Sequence, residues 1–193
     1  MNRQQTLVYE FMKKHDLTMN IKNIQHDVDA LLRLRLVVEE LAELIKAVHE
    51  RNLVEVADGL GDLMYVVYGT GVTYGLKIHG KTPVNFMGEP TLMRIAQVVE
   101  CLAEVTQAVG DFAYALEMFD LLALETSLSL IIESCINFAE TTNLPIEDIF
   151  EAIHESNMTK EKLTEFNKGG KGQNFIPVNL KIVLWPEAQN GLR

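Results

Sequence analysis

The chain has 193 residues, 48% of them hydrophobic, enough for one well-buried core or for two small helical units that share one. With 27 acidic residues against 17 Lys and Arg, the formal charge of −10 argues against duplex DNA or an anionic membrane as partner, because both are held by clustered cations. An acidic protein that handles polyphosphates needs metal ions to bridge the like charges.

Met1 to Thr18 alternates polar and apolar residues and contains no continuous apolar run of the signal-peptide kind. Leu34, Val37, Val38, Leu41, Leu44, Ile45 and Val48 recur at the three-and-four spacing of one apolar helix face, with Glu39, Glu40, Glu43 and Lys46 among them. A second helix is predicted from about Leu53 to Leu76, with Gly75 as its C-cap and with Gly69 and Gly71 marking close helix–helix approach. Its uncharged stretch, Leu63 to Leu76, is shorter than a membrane span.

Residues 77–90, rich in Gly and Pro, are predicted to be a loop between two units. Helices are then expected at Thr91 to Val109, at Phe112 to Thr142 with one break, and at Pro145 to Ser156. Beyond Asn157 the chain turns Lys- and Gly-rich and reads as loop, with a short extended piece at Leu180 to Leu184. Cys101 and Cys135 lie in apolar helical patterns and read as buried free thiols.

The chain also repeats itself. Val37 to Glu43 lines up with Val98 to Glu104, Ala47-Val48 with Ala108-Val109 and, after a one-residue gap, Glu55 and Asp58 with Glu117 and Asp120. The expectation is one all-α domain over 1–193, a four-helix-type bundle with extra helices built by tandem duplication of a helical hairpin. It comprises a first unit at 1–79, a diverged second unit at 91–156 and an irregular tail at 157–193.

The acids carry the chemistry. Glu40 and Glu43 are three residues apart and Glu39 and Glu43 four, so their carboxylates leave adjoining turns of one helix face. Glu55, Asp58 and Asp62 repeat the spacing on the next helix. Like charges so placed repel unless something lies between them. Two facing helices that each supply acids suit a hard divalent ion such as Mg²⁺. In the second unit Glu40 is replaced by Cys101 and Asp62 by Leu124, which leaves one working site in the first half.

The pattern Glu39-Glu40-x-x-Glu43 followed by Asp58-Gly-Leu-Gly-Asp62-Leu-Met-Tyr resembles the all-α nucleoside triphosphate pyrophosphohydrolases, the MazG-like and phosphoribosyl-ATP pyrophosphohydrolase-like group. Val8 to Met12, His15-Asp16-Leu17 and the late His154-x-x-Asn157-Met158-x-Lys160 resemble its flanking segments. The resemblance implies Mg²⁺- or Mn²⁺-dependent cleavage of a nucleoside or deoxynucleoside triphosphate between its α- and β-phosphates. It implies Glu40, Glu43 and Asp62 as metal ligands and Glu39 as a ligand or the base for the attacking water.

The family often pairs an acid three residues before the last Asp, but here that position is Gly59, so either Asp58, or Glu55 and Asp58 together, complete the set. Asn157, Lys160, Lys168 and Lys171 are the candidates for holding substrate. Phe11, Tyr65, Tyr68, Phe175 and Trp185 are the aromatics available to stack on a base. The expected protein is cytoplasmic, binds neither nucleic acid nor membrane, and leaves homodimerisation open. Selectivity of a dUTPase kind, or a non-catalytic helical interaction module, are the rival readings.

Overall fold

The structure, a computed structural model, describes residues 1–21, 28–84, 88–92, 94–161 and 171–189. It contains α1 (Arg3–Lys14), α2 (Val28–His49), α3 (Leu53–Tyr74), α4 (Ile95–Glu117), α5 (Leu121–Thr142), α6 (Ile146–Met158) and α7 (Leu180–Leu184), followed by a 3₁₀ turn at Pro186–Gln189. No β-strand forms among the described residues, and the chain is all-α.

α3 is the central rod, with α1, α2, α5, α6 and α7 all packed on it. Its sequence explains the placement: Val56, Leu60, Leu63, Met64 and Val67 surround it with apolar surface, as a helix buried on most sides requires. Asn52 caps its start, and Gly75, at φ 66°, ends it in the left-handed conformation a C-cap needs. Its glycines let neighbours in. A side chain on Gly59 would meet Leu44 Cα of α2 at 3.1 Å, and one on Gly71 would meet Ile78 Cγ1 at 2.6 Å.

The fully buried amide of Gln5 donates to Leu76 O (2.8 Å) and accepts from Ile78 N (3.3 Å), fastening α1 to the segment that leaves α3.

The second hairpin, α4 and α5, packs on α3 through α5 and on α2 through α4. α4 runs unbroken to Glu117, later than expected. Gly110 has nothing within 4 Å of the place its side chain would occupy, so it costs the helix only about 1 kcal/mol of propensity. The apolar face continues across it from Val105 to Phe112 and Leu116. The break falls at Phe119, φ 55°, with Asp120 accepting from the amides of Leu122 (2.9 Å) and Ala123 (3.0 Å).

This corrects one part of the internal repeat. Asp120 is the cap of α5, the counterpart of Asn52, and Glu117 is the last residue of α4, so neither matches Glu55 or Asp58. α5 is long and apolar enough to cross a membrane by length and composition alone, but Leu128, Ile131, Ile132, Cys135 and Phe138 bury one side of it in the bundle core.

A second correction concerns the C-terminus. Leu180 to Leu184 is helical, not extended, because Leu180 and Leu184 at i and i+4 both bury against α3 and α6. The segment before it is tied to the end of α6, with Ser156 Oγ donating to Ile176 O (2.7 Å) and Ile176 N to Thr159 Oγ1 (2.9 Å).

Candidate active site

The glycine at position 59 decides how α2 and α3 face each other. With the Leu44 backbone this close, a larger residue there needs α2 to give way by a few tenths of an ångström, and Asp58 stands beside the contact. Asp58 lies within electrostatic reach of Glu55, Glu43, Lys171 and Lys160. Asp62, one turn on, is within reach of Asp58, Glu40, Lys160 and Glu43. Four of the five carboxylates expected as metal ligands are thereby drawn together from two helices, with Lys160 of the segment after α6 facing them.

Burial raises the pKa of Asp58, and Glu55 and Glu43 add to the rise, while Lys171 and Lys160 oppose it. Asp62 is pushed up to about 8, first by burial and then by Asp58 and Glu40, with Lys160 pulling the other way. Such acids ionise at neutral pH only at a cost, which a cation among them removes. Among the described residues, no three acidic, His or Cys side chains already close on one point as a ready-made metal cage.

Glu39 stands differently. It pairs with Arg35 at 3.2 Å along the exposed side of α2 and does not line the cavity described next. Lys171 is exposed, 5.4 Å above the Phe175 ring, and reaches the cluster only through Asp58. Lys168 lies outside the described residues.

A cavity of about 180 Å³ opens between α1, α2, α3 and α6. Glu40, Asp62, Asn157 and Lys160 line it together with apolar residues that include Phe11, Leu36 and Val66. Tyr65 turns its hydroxyl to His154 Nδ1 at 3.0 Å and is hydrogen-bonded by Asn157, which fixes Asn157 at the wall. Asn157 is therefore a buried, oriented amide and no mere helix cap.

Of the aromatics expected as base platforms, Phe11 and Tyr65 line this cavity. Tyr68 is instead core, held by Asn2 and with its pKa pushed up to about 12 by burial. One charged lining residue had no place in the sequence expectations: Arg33, buried on α2. It stands two turns before Glu40 on the same face, which was its only signal.

The structure thus sets acids of two paired helices beside a mostly apolar cavity in an all-α fold. Residues 12–81 match the family described as phosphoribosyl-ATP pyrophosphohydrolase. Over 149 residues the chain is 28% identical to an uncharacterized protein of Acanthamoeba polyphaga mimivirus, an alignment covering 69% of this chain and 59% of that protein. No solved structure matches the chain.

Proposed function

We propose that the protein hydrolyses nucleoside or deoxynucleoside triphosphates to monophosphate and pyrophosphate with Mg²⁺ or Mn²⁺ as cofactor. The observation that carries this is Glu40 of α2 and Asp62 of α3 lining a cavity that also holds Asn157 and Lys160, with Glu43 and Asp58 within electrostatic reach of Asp62.

Those four carboxylates would hold the metal, which when bound neutralises the triphosphate and acidifies a water molecule. The protein's own groups do the rest. Lys160, and Lys171 from the far side of Asp58, supply positive charge for the outer phosphates. Asn157, fixed by Tyr65, offers its amide to the sugar or the α-phosphate. Glu39 is the carboxylate left to accept the proton of the attacking water. Its ion pair with Arg35 is half-exposed and worth at most about 1 kcal/mol.

The test is release of pyrophosphate, as opposed to orthophosphate, from each of the eight common triphosphates and from dUTP, with and without metal. Turnover that needs metal and is lost in Glu43→Ala supports the reading. No turnover from any triphosphate with either metal returns the acids to a non-catalytic interaction module, and turnover confined to dUTP returns the rival selectivity.

A further inference from the structure

Two residues one turn apart on α6, His154 and Asn157, meet a single hydroxyl of α3. Tyr65 Oη lies 3.0 Å from His154 Nδ1 and is also hydrogen-bonded by Asn157. The tyrosine ring stacks on the imidazole, centroids 6.1 Å apart, and meets Phe11 edge-on at 5.6 Å. Phe11 and Val8 of α1 wall the cavity, which is a slot between that helix and α2, α3 and α6. Tyr65, His154 and Asn157 are 6%, 8% and 7% exposed, so the hydroxyl has these two neighbours and little water.

A phenol carries one proton, and an imidazole nitrogen and an amide cannot both take it. Asn157 favours the ionised form of Tyr65, as an N–H donor does, so the amide donates to the hydroxyl and the hydroxyl donates to a bare His154 Nδ1. One N–H of Asn157 is thereby spent on Tyr65, and its carbonyl oxygen is the acceptor it offers to the cavity it lines. A proton on Nδ1 reverses the chain. The imidazolium donates to the hydroxyl, the hydroxyl proton swings to Asn157, and the amide can receive it only at its oxygen, so it turns over and withdraws that acceptor.

We infer that His154 is a positioning residue: through Tyr65 it holds the Asn157 carbonyl toward the nucleotide, where it accepts a hydrogen bond from the nucleoside half. The inference rests on the nucleotide reading given above. The phosphates of a metal-bound triphosphate only accept, so the donor is a sugar hydroxyl or a base N–H. The charges acting on the His154 ring are Glu10 of α1 and Glu155 and Glu151 of α6, which favour its charged form, but burial outweighs them and keeps it neutral below the ordinary 6.5. α3 presents the Tyr65 hydroxyl and Asp62, which acts on Tyr65, and the one charge of α7, Lys181, is exposed.

Nuclear magnetic resonance of the ¹⁵N-labelled full chain, free of metal and nucleotide, tests the relay by itself. His154 Nδ1 should be unprotonated at neutral pH, and the Asn157 side-chain amide should follow the His154 titration on acidification. In Tyr65→Phe that shared titration should vanish. A protonated Nδ1 at neutral pH, or an Asn157 amide indifferent to the titration, overturns the relay, and neither observation needs a variant.

Pyrophosphate release with Mn²⁺, on the best-cleaved triphosphate, reads the effect on substrate. Between pH 7.5 and 5.5 the parent KM should rise about 5–10-fold more than that of His154→Asn, whose side-chain oxygen supplies an acceptor that never charges. The kcat profiles should stay parallel. His154→Leu should show the high KM at both pH values, and adding it to Asn157→Ala should cost nothing further. The 2′,3′-dideoxy form of the same triphosphate locates the donor: loss of the parent's excess assigns it to the sugar, persistence to the base. Parallel KM profiles in parent and His154→Asn, or a loss in His154→Leu confined to kcat, overturn the inference. If no triphosphate is cleaved, the hydrolytic reading falls separately and calorimetric Kd values for the same nucleotides take the place of KM. Absence of binding then overturns the inference.

Discussion

Replacing Asp62 with Asn should stabilise the metal-free protein at alkaline pH while destroying its response to metal. In the folded chain Asp62 keeps its proton up to about pH 8, whereas the unfolded chain releases it near 3.8. The folded state therefore binds the extra proton between those values, and stability falls as pH rises through the window. Below about pH 4 the advantage is whole, and above about 8 it is gone.

The full shift corresponds to roughly 5–6 kcal/mol at about 1.4 kcal/mol per tenfold. Asp62 keeps some contact with water, which brings the expected difference down to about 2–3 kcal/mol. For a chain of this length that is about 5–10 °C in Tm. The assay is thermal unfolding of parent and Asp62→Asn in EDTA from pH 5 to 9, repeated with Mn²⁺. The two curves should lie closest at pH 5 and separate toward pH 9 with the variant higher. Mn²⁺ should then raise the parent and leave the variant where it was, because metal takes the proton's place on the carboxylate. A variant less stable than the parent at pH 9 in EDTA would refute the claim that this carboxylate is held at a cost.

Gly59→Ala should lower stability by about 1–3 kcal/mol, since its methyl would lie 3.1 Å from Leu44 Cα and backbone cannot swing aside. The same variant should weaken Mn²⁺ binding measured by calorimetry, because it forces α2 and its two acids away from Asp58 and Asp62. Gly61→Ala meets instead the flexible tip of Ile153, so pairing it with Ile153→Val should recover most of the lost Tm, a coupling that a double-mutant cycle reads directly.

Burial lowers the pKa of His154 against the pull of Glu10, Glu155 and Glu151. Its contribution is therefore present above pH 6.5 and lost as acid charges the ring. His154→Gln should flatten the acid limb of the Tm profile below pH 6.5 relative to the parent.

The fold class was legible because seven-residue stretches of α2 and α4 carry the same apolar spacing, and the carboxylates were legible because they interrupt those stripes. Asp58 could not be separated from Glu55 on spacing alone. What the spacing could not show is the crossing of α2 over Gly59, a contact between residues far enough apart that no local pattern records it. Arg33 was missed for a related reason: a lone Arg beside apolar residues ordinarily lays its stem along a surface and keeps its head in water. Only when α1 covers the slot does that head become enclosed. The α7 helix was missed because Leu-Lys-Ile-Val-Leu satisfies an alternating pattern as well as an i, i+4 pair, and burial on α3 and α6 chose the second.

Because the clasp made by Gln5 closes over the amide of Ile78, that one hydrogen is a built-in gauge of whether the α1 wall is seated. Its exchange with deuterated solvent requires the wall to lift, so the rate reads out how often the slot gapes. A nucleotide lodged against Phe11 and Val8 would slow that exchange without touching the amide itself, making occupancy measurable at a position some distance from any phosphate.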